Sequence, residues 1–166
     1  MTGLPAWAIV SADRRAHIER VAGLLSAWAM ALNLADPERA RWLKAAWLHD
    51  ALRDAPAANE LDHGPLAADR AAQEGERDQG VLDAVRYHSL GYARWDDVGK
   101  MLYLGDYLEP GRPFDHELRR ALAGRVATER DAVLKQVAAR RVARAIDSRW
   151  PLAQLTVDFW NSLVGY

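Results

Sequence analysis

The chain carries five histidines, at positions 17, 49, 63, 88 and 116, and the second is followed directly by an aspartate. That pair, His49-Asp50, closes the apolar run that includes Trp47 and Leu48 and is followed at once by Arg53 and Asp54. An imidazole or a carboxylate at the end of a buried run is costly unless something pairs it. The chain has no cysteine, which excludes disulfides, thiolate nucleophiles and Cys-based zinc or iron–sulfur sites. Histidine and carboxylate are the ligands that remain, and they suit a divalent cation rather than a soft metal.

The elements around the pair decide whether it has partners. Ser11 or Asp13 starts a helix that runs to about Asn33, with His17, Val21, Leu24, Leu25, Trp28 and Leu32 on one stripe. His17 therefore faces the core, while Arg15, Glu19 and Arg20 lie on the polar side. Asp36-Pro37-Glu38 reads as a helix start with a carboxylate cap and a first-turn proline, and that helix carries Trp42, Leu43, Ala46 and Trp47 up to His49-Asp50. Pro56 stops it soon after. A polar loop with a short turn leads to His63-Gly64-Pro65, which opens a helix ending near Gly75.

Asp78 opens the next helix, and Val81, Ala84, Val85 and His88 share its inward stripe until Gly91. Trp95 to Leu108 forms another apolar helix, with Asp106 near its end and Glu109-Pro110-Gly111 as the stop. From Asp115 the spacing predicts two helices. The second, about Thr128 to Ser148, has Val133, Val137, Ala138, Val142, Ala145 and Ile146 inward and its arginines outward. Pro151 begins a last helix with Leu152, Leu155, Phe159 and Leu163 on one side. No strand alternation, internal repeat or linker composition interrupts this pattern, so the expectation is an all-α single domain over 1–166. Its metal-site core spans about 14–115 and its C-terminal helices about 116–163.

Lys plus Arg number 22 against 23 Asp plus Glu, a formal charge of −1 that gives no footprint for a nucleic-acid polymer and no polybasic membrane anchor. The apolar stretch Val21 to Leu34 is broken by Ser26 and Asn33 and is too short to span a bilayer. Met1 to Val10 has no basic region ahead of its apolar patch and reads as mature sequence rather than a signal peptide. A cytoplasmic location is the expectation. The arginines from Arg119 to Arg149 alternate with Glu129, Asp131 and Asp147, as on a solvated helix face, and His116 reads as surface. Some of the seven tryptophans could line a homodimer interface.

Taken singly, each inward histidine is more often a hydrogen-bonded core residue than a ligand. Taken together, His17, His49, His63, His88, Asp50 and Asp106 on the inward side of consecutive helices are most economically explained by a shared cation, as helical bundles build metal sites from facing helices. Six ligands exceed what one tetrahedral zinc requires.

The ordered set resembles the HD-domain superfamily of metal-dependent phosphohydrolases, and within it the YqeK-type branch of symmetrical diadenosine tetraphosphate hydrolases. The resemblance rests on Arg14-Arg15-Ala16-His17 with Arg20-Val21, Leu48-His49-Asp50, His63-Gly64-Pro65, Arg86-Tyr87-His88 and the run from Lys100 to Arg112 that contains Asp106-Tyr107-Leu108-Glu109-Pro110-Gly111-Arg112. It implies an HD-type helical bundle with two divalent metal ions, iron first and manganese, zinc or magnesium as alternatives. His17, His49 and Asp106 would hold one ion, His63 and His88 the other, with Asp50 between them. The chain departs from the family where Arg53 replaces a frequent lysine, Ser89-Leu90 replace Thr-Thr, and Gly105 replaces alanine.

The chemistry this implies is phosphoryl transfer to water. Two nearby cations lower the pKa of water so that hydroxide forms near neutral pH, and they offset charge that develops on phosphoryl oxygens. Asp50 and Arg53 would serve catalysis, and Arg53, Lys100 and Arg112 would bind the substrate, expected to be diadenosine tetraphosphate cleaved to two ADP. Arg86 is a weaker candidate for the same clamp. Tyr92, Trp95 or Phe114 could stack on a base, although aromatics in helical domains more often pack. The alternatives are another nucleotide as substrate, a di-iron oxygenase using the same ligands, and a non-catalytic nucleotide-sensing module. The surplus of Arg and Lys near the motif favours phosphate.

Overall fold

Three of the helix starts are fixed by capping side chains. Ser11 accepts from the Arg14 amide at 3.3 Å, Asp78 from Val81 at 3.1 Å and Asp96 from Val98 at 3.0 Å. The computed structural model describes residues 3–165. Met1 and Thr2 of the N-terminal segment, and Tyr166, lie outside the described residues. The helices are α1 (Ala12–Ala31), α2 (Asp36–Leu48), α3 (His63–Gln73), α4 (Gln79–Tyr87), α5 (Asp97–Leu108), α6 (His116–Asp147) and α7 (Gln154–Val164), with a 3-10 turn at Glu60–Asp62 before α3. The described residues contain no strand. None of their helices is long and apolar enough to cross a membrane.

The centre of the molecule is α5. Val98, Gly99, all residues from Met101 to Asp106, and Leu108 are buried, so this helix is enclosed nearly all round. It packs against α1, α2, α4 and α6, while α3 lies on α4 and α7 on α6. Close approach of α1 explains Gly105: a Cβ there would run into the Leu25 side chain, itself fully buried. Gly91 ends the turn after α4 with φ +93°, and its missing side chain leaves room for Phe159 of α7. Phe159 stands edge-on to Trp95 and Tyr103, with ring centroids 5.2 Å from each.

Several elements differ from the sequence reading. Asp36 is not a cap; Ala35 occupies that position and Pro37 sits in the first turn. The two helices expected after Asp115 are the two arms of α6, which meet at a kink at Glu129 (φ −133°, ψ 36°), one residue past the expected boundary at Thr128. Its inward stripe holds for Val133, Val137 and Ala138, but Ile146 is 59% exposed because the last turns project past the core. The last helix begins at Gln154, not at Pro151. Arg119 and Arg141 also leave the outward face assigned to them. Arg119 is 3% exposed, and its guanidinium lies over the Tyr107 and Phe114 rings.

Candidate metal centre

Helix ends deliver most of the histidines. His49 is the C-terminal cap of α2, His63 the first residue of α3 and His88 the C-terminal cap of α4. His17 comes from the buried stripe of α1 and Asp106 from the last turn of α5. These five residues and Asp50, in the turn after α2, are all buried.

Asp50 is the centre of the cluster, and its two oxygens face different partners. Oδ2 lies 3.6 Å from His17 Nε2 and 3.5 Å from His49 Nε2. Oδ1 lies 3.1 Å from His63 Nε2 and 3.3 Å from His88 Nε2. Two groups with metal-ligand geometry result, His17-His49-Asp50 and Asp50-His63-His88, sharing the aspartate. Asp106 joins the first group at its edge, with Oδ1 3.2 Å from His17 Nε2.

Every imidazole is oriented through its other nitrogen. His49 Nδ1 donates to the Ala46 carbonyl at 2.8 Å, His63 Nδ1 to the Glu60 carbonyl at 2.6 Å and His88 Nδ1 to the Val85 carbonyl at 2.8 Å. His17 Nδ1 sits 3.1 Å from Glu109 Oε1. A carbonyl only accepts, so each of these Nδ1 atoms carries a proton and Nε2 is the ring nitrogen left facing the cluster. His63 and His88 bring these nitrogens within 3.1 Å of each other, and His17 and His49 within 3.4 Å. Imidazole nitrogens converging at such distances, with a carboxylate among them, are the arrangement a cation would fill. The donor set of nitrogen and oxygen, with each ring braced from behind, fits divalent metal ions.

The electrostatics agree. Burial alone would raise the Asp50 carboxyl, yet the surrounding imidazoles of His49, His63 and His88 hold it well below the ordinary carboxylate range. Asp106 is likewise held low against burial by His17, Arg141 and Arg112. Burial lowers His49 to about 4, which keeps it a neutral ligand. For His17 the loss of solvation is outweighed by Asp106 and Glu109, and its pKa is raised. Glu109, against its burial, is lowered to about 2 by His17 and Arg20.

The cations foreseen around the site divide. Arg112 belongs to it: Nη2 bonds Asp106 Oδ1 at 2.6 Å and the Asp106 carbonyl at 2.8 Å. Arg53 stands behind His63, where its guanidinium pairs with the Glu60 side chain and reaches the same Glu60 carbonyl that orients the ring. Lys100 stands on the same helix as Asp106 but apart from it along the axis. It lies six residues before Asp106 on α5, roughly 9 Å along the axis and on a different face. Arg86 pairs with Asp69 instead. Among the aromatics, Trp95 is in the core, Tyr92 stacks on Tyr87 at 4.4 Å, and Phe114 lies under Arg119.

Five side chains at the site, Arg14, Arg20, Glu109, Arg141 and Ser89, carried no role in the sequence reading. Arg14 Nη1 bonds Asp50 Oδ2 at 2.7 Å. Glu109, read as part of a helix stop, braces His17 and is itself held by Arg20 Nε at 2.5 Å and the Gly111 amide at 2.6 Å. Arg141 bonds Asp106 Oδ2 at 2.8 Å. Ser89 Oγ lies 3.2 Å from His88 Nε2, so a hydroxyl persists at the position where the family has the first threonine. A cavity of about 200 Å³ opens beside His17, lined by Arg14, Arg20, Arg112 and Gly111 together with Ser11, Asp13, Asp54 and Glu109.

With this geometry in view, the comparisons with known proteins are specific. The HD domain family matches residues 14–137, and the chain belongs to that family. Over 56 residues it is 41% identical to the symmetrical bis(5'-nucleosyl)-tetraphosphatase of Bacillus subtilis (strain 168), covering 33% of this chain and 30% of that protein. Over 55 residues it is 38% identical to the protein of the same name from Staphylococcus aureus (strain NCTC 8325 / PS 47), covering 32% of this chain and 28% of that protein. The matched stretches thus span less than a third of these relatives. A crystal structure described as a "predicted HD superfamily hydrolase involved in NAD metabolism", from Clostridium acetobutylicum, superposes with a TM-score of 0.80 at 20% identity. That superposition covers 94% of this chain and 91% of the other and shows a common fold.

Proposed function

We propose that this chain is a metal-dependent phosphohydrolase that cleaves a dinucleoside tetraphosphate at its centre, diadenosine tetraphosphate giving two ADP. The observation that carries the proposal is the division of Asp50, whose two carboxylate oxygens each face a separate pair of imidazole nitrogens. The named relatives supply the substrate class.

In this reading His17, His49, Asp50 and Asp106 hold one divalent ion and Asp50, His63 and His88 the other, with iron the first expectation. The bound ions supply Lewis acidity and make hydroxide available near neutral pH. The chain's own groups do the rest. Ala46, Glu60, Val85 and Glu109 fix each ring so that Nε2 points inward. Arg14, Arg20 and Arg112 ring the cavity beside His17, where guanidinium forks match phosphoryl oxygens. Arg53, behind His63, steadies that ligand through Glu60. The oxygen of water adds to one of the two central phosphoryl groups, the bond from that phosphorus to the bridging oxygen breaks, and each half departs as a nucleoside diphosphate. The arginine-lined cavity favours phosphate over an oxygenase substrate. We place the enzyme in the cytoplasm, as one domain.

The test is product analysis on protein of known metal content. Two ADP from each diadenosine tetraphosphate, lost in His49→Ala, is the expected result. ATP plus AMP would overturn the symmetrical reading, and absence of phosphoanhydride cleavage with consumption of dioxygen would move the chain to oxygenase chemistry.

A further inference from the structure

Arg141 comes from α6, four positions beyond the span over which the family matches, yet it reaches the candidate centre. Its Nη2 bonds Asp106 Oδ2 at 2.8 Å and approaches the Tyr103 carbonyl at 3.4 Å. The guanidinium lies over the Tyr103 ring at 4.2 Å and near Tyr107 at 5.5 Å. Its Nε is buried with no hydrogen-bond partner. A guanidinium held this way has given up water for one carboxylate oxygen and the faces of two tyrosines.

Arg112 holds the same carboxylate differently. It bonds Oδ1, the oxygen that faces His17, and its side chain is 30% exposed at the cavity mouth, against 19% for Arg141. Arg112 can therefore turn to an incoming anion, whereas Arg141 is enclosed by α5 and its tyrosines. The two arginines divide the work on one aspartate.

We infer that Arg141 is a positioning residue, which by fixing Oδ2 of Asp106 from α6 keeps Oδ1 turned toward His17 Nε2 and so sets the affinity of the ion held beside His17. The inference rests on the two-ion reading of the site. Losing such a partner behind a ligand lowers metal affinity by about 10- to 100-fold. The other ion, among Asp50, His63 and His88, has no contact with Arg141 and keeps its affinity.

Calorimetric titration with Mn2+ of the apo protein, wild type against Arg141→Lys and Arg141→Met, tests this. Lysine lacks the planar fork that both stacks on Tyr103 and bonds Oδ2, so both variants should show one of two binding events weakened by about 10-fold or more. On Asp106→Asn, the added Arg141→Lys change should weaken binding no further, because the effect passes through Asp106. A purely structural role would lower both affinities or neither, and would add to Asp106→Asn. Two unchanged events in Arg141→Lys overturn the inference while leaving the two-ion reading intact. A wild type that binds a single ion or none overturns that reading itself, and this inference with it. If Arg141→Met does not fold, Arg141→Lys carries the test.

Discussion

At the scale of single residues, the site is built by second partners as much as by ligands. Each histidine has one nitrogen committed to a carbonyl or to Glu109, and that commitment aims the other. Replacing Glu109 with Ala should therefore lower metal affinity about 10- to 100-fold, read by metal titration, while His49, His63 and His88 keep their orientation. Unchanged affinity would mean that His17 is held by packing alone. The four buried histidines were legible in the sequence as inward residues because each occupies an apolar stripe or a helix end, where an unpaired imidazole is costly. Arg14 and Arg141 were not legible. An arginine in a basic helix reads as solvated, and only the fold shows that Tyr103 and Asp106 wait at the position of Arg141.

At the scale of elements, α5 determines how closely the ligands converge. Gly105 lets α1 approach where Leu25 fills the space of a Cβ. Gly105→Ala should cost about 1–3 kcal/mol by overpacking, measured by urea denaturation. The start of α4 is tied to α2 by Arg41, which bonds Asp78 at 2.6 and 3.0 Å, Glu38 at 2.8 Å and Asp96 at 2.6 Å. The bond from Arg41 holds the Asp78 carboxyl below its ordinary value of 3.8. A carboxylate whose pKa falls on folding contributes stability above the unfolded value and loses it as pH falls through the folded one. Asp78→Asn keeps a capping oxygen, so its cost of about 1 kcal/mol at pH 7 should shrink as pH drops below 3.8. A deficit that is constant with pH would mean the bond is not ionic. The start of α4 was readable from Asp78, and the break in α6 at Glu129 falls one residue past the boundary read at Thr128, whereas the Asp96 cap of α5 was passed over because the apolar Trp95 was read as the first residue of that helix.

At the scale of the whole molecule, the C-terminal helices close the end of the bundle. Phe159 of α7 sits among Trp95, Tyr103 and Gly91, and Arg141 of α6 reaches Asp106. Phe159→Ala should cost about 3–5 kcal/mol, a drop in Tm of roughly 6–20 °C for a chain of this length, seen in a thermal melt. A drop of only a degree or two would mean that α7 is dispensable to the core. The all-α order was readable because apolar residues recur with helical spacing through nearly the whole chain. The way Arg141 of α6 reaches Asp106 was not, since contacts between distant segments leave no local signal.

The central claim, that Asp50 stands between two ions, is tested most directly by anomalous diffraction from crystals grown with Mn2+. The account predicts two anomalous peaks, one among His17, His49 and Asp50 and one among Asp50, His63 and His88, both lost in Asp50→Ala. A single peak in the wild type, or two peaks that persist without the Asp50 carboxylate, would contradict it.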